Sequence, residues 1–169
     1  MTDHVIIAPH PDDEIIGTYS ILVKHRPIIL YTELIDEARK EETLNLKNNF
    51  DIKAQLYLRQ IPGMLMKNEN IFYFPDPIYE THPAHRLMGA VGETFARSGY
   101  NVIFYTTNML APYIHEVKNP EDKETALTEC YPSQKDLWRY DARYYLFEGR
   151  CKWMFNEPVN TQNKFLAKK

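Results

Sequence analysis

The sequence predicts an α/β fold, a Rossmann-like and mostly parallel sheet with helices on both faces. Residues Val5–Ala8 are continuously apolar, which is typical of a central parallel strand that is covered on both sides. Residues Ile15–Val23 then follow the apolar spacing of a packed helix. Because strand-like and helical segments continue to alternate along the chain, we expect parallel strands with helices covering both faces of the sheet.

The remaining elements follow from the same two kinds of pattern. Short apolar segments predict strands at 4–9, 27–33, 55–59, 71–74 and 101–107. Helical periodicity predicts helices at 14–25, 37–49, 85–98 and 120–130. The segment 138–155 is rich in aromatic residues and fits neither pattern. No Gly-x-Gly-x-x-Gly follows the first strand, so a dinucleotide site is not indicated.

Length and composition indicate one domain over residues 1–169, with a polar tail at 156–169. The net charge of −3 gives no general attraction to nucleic acid. The sequence has neither a basic and apolar leader nor a run of about eighteen apolar residues, so we expect a cytoplasmic protein without a membrane anchor. Cys130 and Cys151 are expected to be reduced thiols, since two cysteines are too few for a disulfide framework.

The most informative stretch is Ala8–Gly17, with the sequence Ala-Pro-His-Pro-Asp-Asp-Glu-Ile-Ile-Gly. It places His10, Asp12 and Asp13 where the first strand gives way to the first helix, at the edge where open α/β sheets bind ligands. His10 and Asp13 can hold one cation, which leaves Asp12 to face whatever the cation polarises. The alternative is that one aspartate caps the helix and the histidine merely ends the strand.

A second cluster, His82-Pro-Ala-His85, precedes a segment with helical apolar spacing. Pro83 suits the first turn of that helix. One histidine lies just before the helix and the other on it, so both can face the same point. Two such clusters at the mouths of two helices are what a catalytic zinc site with three protein ligands requires, the fourth position being left to water.

These two motifs, about seventy residues apart, resemble those of the zinc-dependent N-acetylglucosaminyl de-N-acetylases of the PIG-L/LmbE type. Two weaker similarities occur in the same order as in that family. Arg39–Glu42 resembles its Arg-x-x-Glu, and Lys123–Gln134 resembles its Lys-x-x-Ala-Leu stretch that ends in Ser-Gln. The resemblance covers most of positions 4–134.

The resemblance implies a role for each residue of the two clusters. His10, Asp13 and His85 would be the ligands of one zinc ion per chain. Asp12 would be the general base that takes a proton from the attacking water, and His82 the general acid or the group that stabilises the oxyanion. This division of labour is chemically consistent, because amide hydrolysis needs an activated water, charge stabilisation and a proton for the departing amine.

The chain also departs from the family pattern at two places. The family usually has aspartate between the two histidines, where this chain has Ala84. Since carboxylates often fix the orientation of metal-ligating histidines, Asp76 or Glu80 is expected to take over that function. The loop after the second strand, which helps to shape the family's substrate site, is shortened here to 33–37.

The sequence therefore predicts a zinc-dependent deacetylase that hydrolyses the acetamide of a small N-acetylated sugar or sugar-containing metabolite to acetate and free amine. Two alternatives stay open. One is an amidohydrolase that acts on an acylated nucleotide or a modified base. The other is a catalytically degenerate relative that binds a metal or a sugar without turnover. This alternative stays open because Ala84 replaces the family's usual aspartate.

Overall fold

The computed structural model describes residues 2–33 and 36–152, which form an α/β fold around one seven-stranded sheet. Its strands are β1 (His4–Ala8), β2 (Ile28–Tyr31), β3 (Ala54–Tyr57), β4 (Ile71–Pro75), β5 (Asn101–Thr106), β6 (Ile114–Glu116) and β7 (Phe147–Lys152). The strand order is β3-β2-β1-β4-β5-β7-β6. The first five strands of this order are parallel, and β7 and β6 add an antiparallel edge.

Seven helices of the described residues connect or follow these strands. They are α1 (Asp13–Lys24), α2 (Glu37–Leu44), α3 (Leu46–Asn49), α4 (Pro83–Arg97), α5 (Pro120–Cys130), α6 (Lys135–Tyr140) and α7 (Arg143–Leu146). Two short 3-10 helices lie at Gly63–Leu65 and Pro132–Gln134. Among the residues described, no helix is long and apolar enough to cross a membrane.

Alternate side chains of the central strands supply two separate cores, one on each face of the sheet. On one face, Ile6 and Tyr105 pack with the apolar residues of α1 and α5, of which Leu127 is fully buried. On the other face, Val5 and Phe74 pack beneath α4. This two-sided burial explains why the strands are continuously apolar, and it confirms the prediction of a mostly parallel sheet with helices on both faces.

The five predicted strands and four predicted helices are all present, with two differences. The helix predicted at 37–49 is divided at Asn45 into α2 and α3. The segment 138–155, which fits neither pattern, contributes the end of α6, α7 and β7. Both cysteine thiols are free. The tail predicted at 156–169 and the middle of the shortened loop at 33–37 lie outside the described residues.

The strand order places the candidate site. β1 and β4 are neighbours at the centre of the sheet. From β1 the chain continues to β2 on one side of the sheet, whereas from β4 it continues to β5 on the other side. A crevice forms at such a switch point, outside the carboxyl ends of the strands. Both sequence clusters lie there, because one follows β1 and the other follows β4.

Candidate metal centre

The first cluster lies in a tight turn between β1 and α1. Asp12 precedes the helix with a φ of 102°, a left-handed conformation that is uncommon for residues other than glycine and is one of the strained geometries that recur at functional sites. Within the described part of the chain, its carboxylate caps no backbone amide of α1. Asp13 instead accepts a hydrogen bond from the backbone N–H of His10, 2.7 Å from Oδ2. Helix capping therefore does not account for Asp12.

The second cluster is carried by the loop at 76–82 and the first turn of α4. Buried Asp76 shapes this loop, because its Oδ1 accepts the backbone N–H groups of Ile78 and Tyr79 at 2.7 and 2.8 Å. His82 ends the loop as the N-cap of α4, where its Nδ1 accepts the backbone N–H of Ala84 at 3.3 Å. His85 follows on the first turn and is buried.

The structure brings the three predicted ligands to one point. His10 Nδ1 lies 3.0 Å from His85 Nε2 and 3.5 Å from Asp13 Oδ2, and His85 Nε2 lies 3.1 Å from Asp13 Oδ2. Ligand atoms about 2.0–2.1 Å from a tetrahedral zinc ion are about 3.3–3.4 Å apart. The observed separations of 3.0–3.5 Å bracket that spacing, so this donor set fits zinc.

His82 lies beside the same point. One ligand atom each from His10, His82 and His85 lie within 4.8 Å of one another, so these three histidines could also hold a metal ion. The rings of His10 and His82 meet edge to face, with centroids 4.6 Å apart. His82 is exposed whereas Asp13 is buried, and Asp13 Oδ2 lies 3.5 Å from His10 Nδ1 and 3.1 Å from His85 Nε2. Asp13 and His82 are thus the two candidates for a third donor beside His10 and His85.

The charges of the cluster favour a cation. Burial alone would raise the pKa of Asp13, but the imidazoles of His85 and His10 outweigh burial and hold that pKa below its usual range. Burial would likewise lower the pKa of His85, but the Asp13 and Glu80 carboxylates raise it to about 10. The pKa of exposed His82 is lowered by partial burial and by repulsion from His10 and His85. The centre thus holds a carboxylate ready to compensate positive charge.

Glu80 supports His85 from behind. Its Oε2 lies 3.0 Å from Nδ1 of His85, which turns Nε2 of the ring toward Asp13 and His10. The Glu80 carboxylate also accepts the backbone N–H and the hydroxyl group of Thr107, just after β5. Of the two substitutes expected for the missing aspartate at Ala84, Glu80 is therefore the one that contacts a histidine. Metal-ligating histidines commonly have such a carboxylate partner.

Asp12 lies on the other side of the cluster, in contact with Arg39 of the first of the two weaker sequence similarities. It is 5% exposed, and its Oδ2 lies 3.4 Å from the guanidinium of Arg39. Burial and the neighbouring Asp13 raise the pKa of Asp12 well above its usual value. Arg39 approaches Glu42, whose carboxylate accepts the backbone N–H and the hydroxyl group of Ser133 at 2.8 and 2.7 Å. These residues link α2 to the segment after α5.

These elements enclose a cavity of about 290 Å³ that contains both clusters. The cavity is also lined by Ile16, Arg39, Thr107, Gln134, Leu137 and Tyr144. In the sequence, Arg39 and Gln134 belong to the two weaker similarities, whereas no local pattern marks Thr107, Leu137 or Tyr144, which only the fold brings here. A larger depression of about 520 Å³ lies between α1, α3 and α5 and holds no residue of either cluster.

Glu14 is a further buried acidic group next to the first cluster. It is fully buried behind the first cluster, where it accepts the backbone N–H of Asp12 at 3.2 Å and the hydroxyl of Tyr131. Burial raises the pKa of Glu14 to about 8. The contact with Asp12 makes Glu14 a support of the turn rather than a charge at the start of the helix.

Comparison with known proteins adds no family assignment, since no protein-family model and no curated protein matches the chain.

Proposed function

We propose that this chain is a zinc-dependent amide hydrolase that removes the acetyl group of a small N-acetylated sugar or sugar-containing metabolite, releasing acetate and the free amine. The observation that carries the proposal is the convergence of His10 Nδ1, Asp13 Oδ2 and His85 Nε2 within 3.0–3.5 Å of one another. The cluster lies at a sheet edge that favours ligand binding, with the buried carboxylate of Asp12 in the same cavity.

His10, Asp13 and His85 would hold the metal in this proposal. When bound, zinc would acidify a water molecule and polarise the amide carbonyl. Asp12 has the place of the general base, since it lines the cavity next to Asp13 without being needed as a ligand. Arg39 fixes the Asp12 carboxylate from the opposite side. Asp12 therefore takes the proton of the attacking water.

His82 has the place of the general acid. Its Nδ1 accepts the backbone N–H of Ala84, which leaves Nε2 available to the substrate. With Nδ1 as acceptor, the neutral ring carries its proton on Nε2 and can donate a hydrogen bond to the developing oxyanion. When Nδ1 is protonated instead and gives up the Ala84 contact, the imidazolium can pass its Nε2 proton to the departing amine. Its exposure agrees with a group that exchanges protons with solvent.

The choice of substrate rests on the resemblance to the PIG-L/LmbE deacetylases and on the cavity wall. Arg39 and Gln134 supply hydrogen-bond donors there, and Leu137 and Tyr144 supply apolar surface. A mixture of a few polar groups with aliphatic and aromatic surface suits a hydroxylated ring that carries an acetamide.

The test is release of free amine by the zinc-loaded chain from a panel of N-acetyl sugars, sugar nucleotides and acylated nucleosides. We expect turnover of at least one N-acetylated sugar and loss of that turnover in Asp12→Asn, which keeps the metal ligands. Release from acylated nucleosides alone would replace the sugar assignment with the nucleotide alternative. A chain that holds one zinc ion and turns over no member of the panel would identify a binding protein instead.

A further inference from the structure

Two charged side chains that do not line the cavity are completely buried. Lys123 of α5 is 0% exposed and Glu148 of β7 is 1% exposed. Neither contributes to the proposed chemistry, yet buried charges are costly unless their partners are well placed. Both side chains end at the same feature of the fold, an interruption within α1.

The interruption lies at Thr18, whose φ of −137° and ψ of 27° are not helical. In a continuous helix, the backbone N–H of Ser20 would bond to the carbonyl of Ile16 four residues earlier. Here each of these two groups is bound by one of the buried charged side chains. Lys123 Nζ donates to the Ile16 carbonyl at 2.7 Å, and Glu148 Oε1 accepts the Ser20 N–H at 2.9 Å.

Lys123 has a second partner that anchors it to the sheet. Its Nζ also donates to the carbonyl of Phe147 at 2.8 Å, at the start of β7. Glu148 is the next residue of the same strand. The two side chains therefore tie the interruption in α1 to α5 and to the antiparallel edge of the sheet.

The part of α1 before the interruption is the turn that carries Asp13. This turn lies directly on the sheet at Gly17, where an added Cβ would be 2.2 Å from Cδ2 of Tyr105. Tyr105 is itself fixed, because its hydroxyl donates to the Ile7 carbonyl at 2.7 Å. The direction of the first turn is thus set between two fixed points, the contact at Gly17 and the interruption at Thr18.

We propose that Lys123 and Glu148 are positioning residues of the metal centre. They hold α1 interrupted at Thr18 and thereby direct its first turn so that Asp13 Oδ2 reaches His85 Nε2. Without them, the Ser20 amide bonds to the Ile16 carbonyl, the helix straightens and Asp13 moves away from the two histidines. The inference rests on the proposed metal centre, since Asp13 is the ligand that it places.

The main test variant is Lys123→Met/Glu148→Leu. Replacing both side chains removes both buried charges at once, so that neither is left opposite an apolar replacement of the other. Arg150, 3.9 Å from Glu148 Oε2, loses its carboxylate but is only half-buried. We expect a folded chain in which zinc binds about tenfold more weakly, as for lost supporting contacts of other metal sites. The absorption spectrum of the cobalt(II)-loaded protein should also change, because it depends on the arrangement of the ligands.

Two single variants and a control accompany it. Glu148→Gln keeps an oxygen acceptor for the Ser20 amide and should bind zinc with an affinity close to that of the unaltered chain. Glu148→Asp is shorter by one methylene, so it should weaken zinc binding while perturbing the fold least, and it serves if the double variant does not fold. Val102→Ala destabilises the opposite core, beneath α4, and should leave zinc affinity unchanged.

The backbone ¹³C chemical shifts of Thr18 provide a measurement that needs no metal. We expect them to move to helical values in the double variant and part of the way in Glu148→Asp. Shifts that stay non-helical in every folded variant, or helical shifts with unchanged zinc affinity, would overturn the inference. A chain that binds no zinc in its unaltered form would instead overturn the proposed function, while the shifts of Thr18 would still show what holds the interruption.

Discussion

The two segments that supply the metal centre are built differently. The turn after β1 is short, and its proposed ligands His10 and Asp13 are three residues apart and joined by a hydrogen bond of their own. The loop after β4 is longer, and its support of His85 depends on a distant residue, because Thr107 holds Glu80 and Glu80 holds the histidine. The first segment is thus defined mainly by local sequence and the second by tertiary contacts.

The difference teaches where each segment is sensitive to substitution. In the turn of the first segment the critical groups are the proposed ligands themselves and the left-handed residue Asp12, while Lys123 and Glu148 act on the helix that follows. In the second segment, residues that would never touch the metal are also critical, because they decide which ring nitrogen of His85 faces it.

The largest effect is expected from loss of a ligand in either segment. Alanine at His10, Asp13 or His85 removes one of three converging donor atoms, so each variant should bind zinc more than about 100-fold more weakly, beyond the usual effect of a supporting residue. Elemental analysis after dialysis, with affinity from chelator competition, measures this. His82→Ala should retain its zinc.

The histidine variant also decides between the two donor sets of the site. If His82→Ala lost its zinc while Asp13→Ala kept it, the ligands would be the three histidines rather than His10, Asp13 and His85. The first segment would then contribute one ligand and the second segment two, so the second segment would supply most of the metal site.

Asp12 should show the next largest effect, on turnover rather than on metal. Asp12→Asn keeps the size of the side chain, and asparagine tolerates the left-handed backbone at φ 102°. Because an amide cannot accept the proton of the attacking water, kcat should fall by about 10²- to 10⁴-fold. Zinc content and thermal stability should stay near those of the unaltered chain. Loss of zinc in this variant would make Asp12 a ligand and remove it from the role of base.

Local patterns were sufficient to predict the parallel part of the sheet and both clusters. The strands β1 and β4 are buried on both faces and therefore continuously apolar, and the clusters follow them directly in sequence. The antiparallel edge was missed. β7 carries Glu148 in its interior, and a glutamate reads as exposed unless its distant partner, the Ser20 amide, is known.

The same limit applies to the site. His10, Asp12 and Asp13 form a motif because the turn brings neighbouring residues together. The support of His85 was only narrowed to Asp76 or Glu80, because the choice depends on Thr107, 27 residues beyond Glu80. The loop geometry decides between the two residues in favour of Glu80, since the carboxylate of Asp76 accepts hydrogen bonds from the loop's own backbone amides.

A smaller effect on metal binding is expected from the support of His85. Glu80→Gln replaces a carboxylate acceptor with an amide that can turn a donor toward Nδ1, so the ring is less firmly oriented and zinc should bind about 10- to 100-fold more weakly. Asp76→Asn is the matched control, since Asp76 is an equally buried carboxylate that contacts the loop backbone. The control should lose thermal stability and keep its zinc affinity. Equal weakening in both variants would show that Glu80 acts on the loop as a whole.

The smallest effect concerns Lys123, and it tests whether α1 also depends on distant residues. Burial lowers the pKa of Lys123 to about 7, although nearby Glu148 opposes this shift and Arg150 adds to it. An unfolded lysine keeps its proton up to about pH 10. Between about pH 7 and pH 10 the unfolded chain therefore binds one more proton at this residue than the folded chain, and the folded chain gains stability as the pH rises. A neutral amine still has two N–H groups for the Ile16 and Phe147 carbonyls, so the contacts persist.

Denaturant unfolding of the unaltered chain and of Lys123→Met at pH 7 and pH 9 measures the contribution of Lys123 to stability, since the ionisable groups that the two chains share cancel in the difference. As the pH rises, the free energy of unfolding of the unaltered chain should increase relative to that of Lys123→Met by up to about 1.4 kcal/mol per pH unit. A difference that does not change with pH would mean that Lys123 keeps its proton in the folded protein and holds the interruption of α1 as a cation.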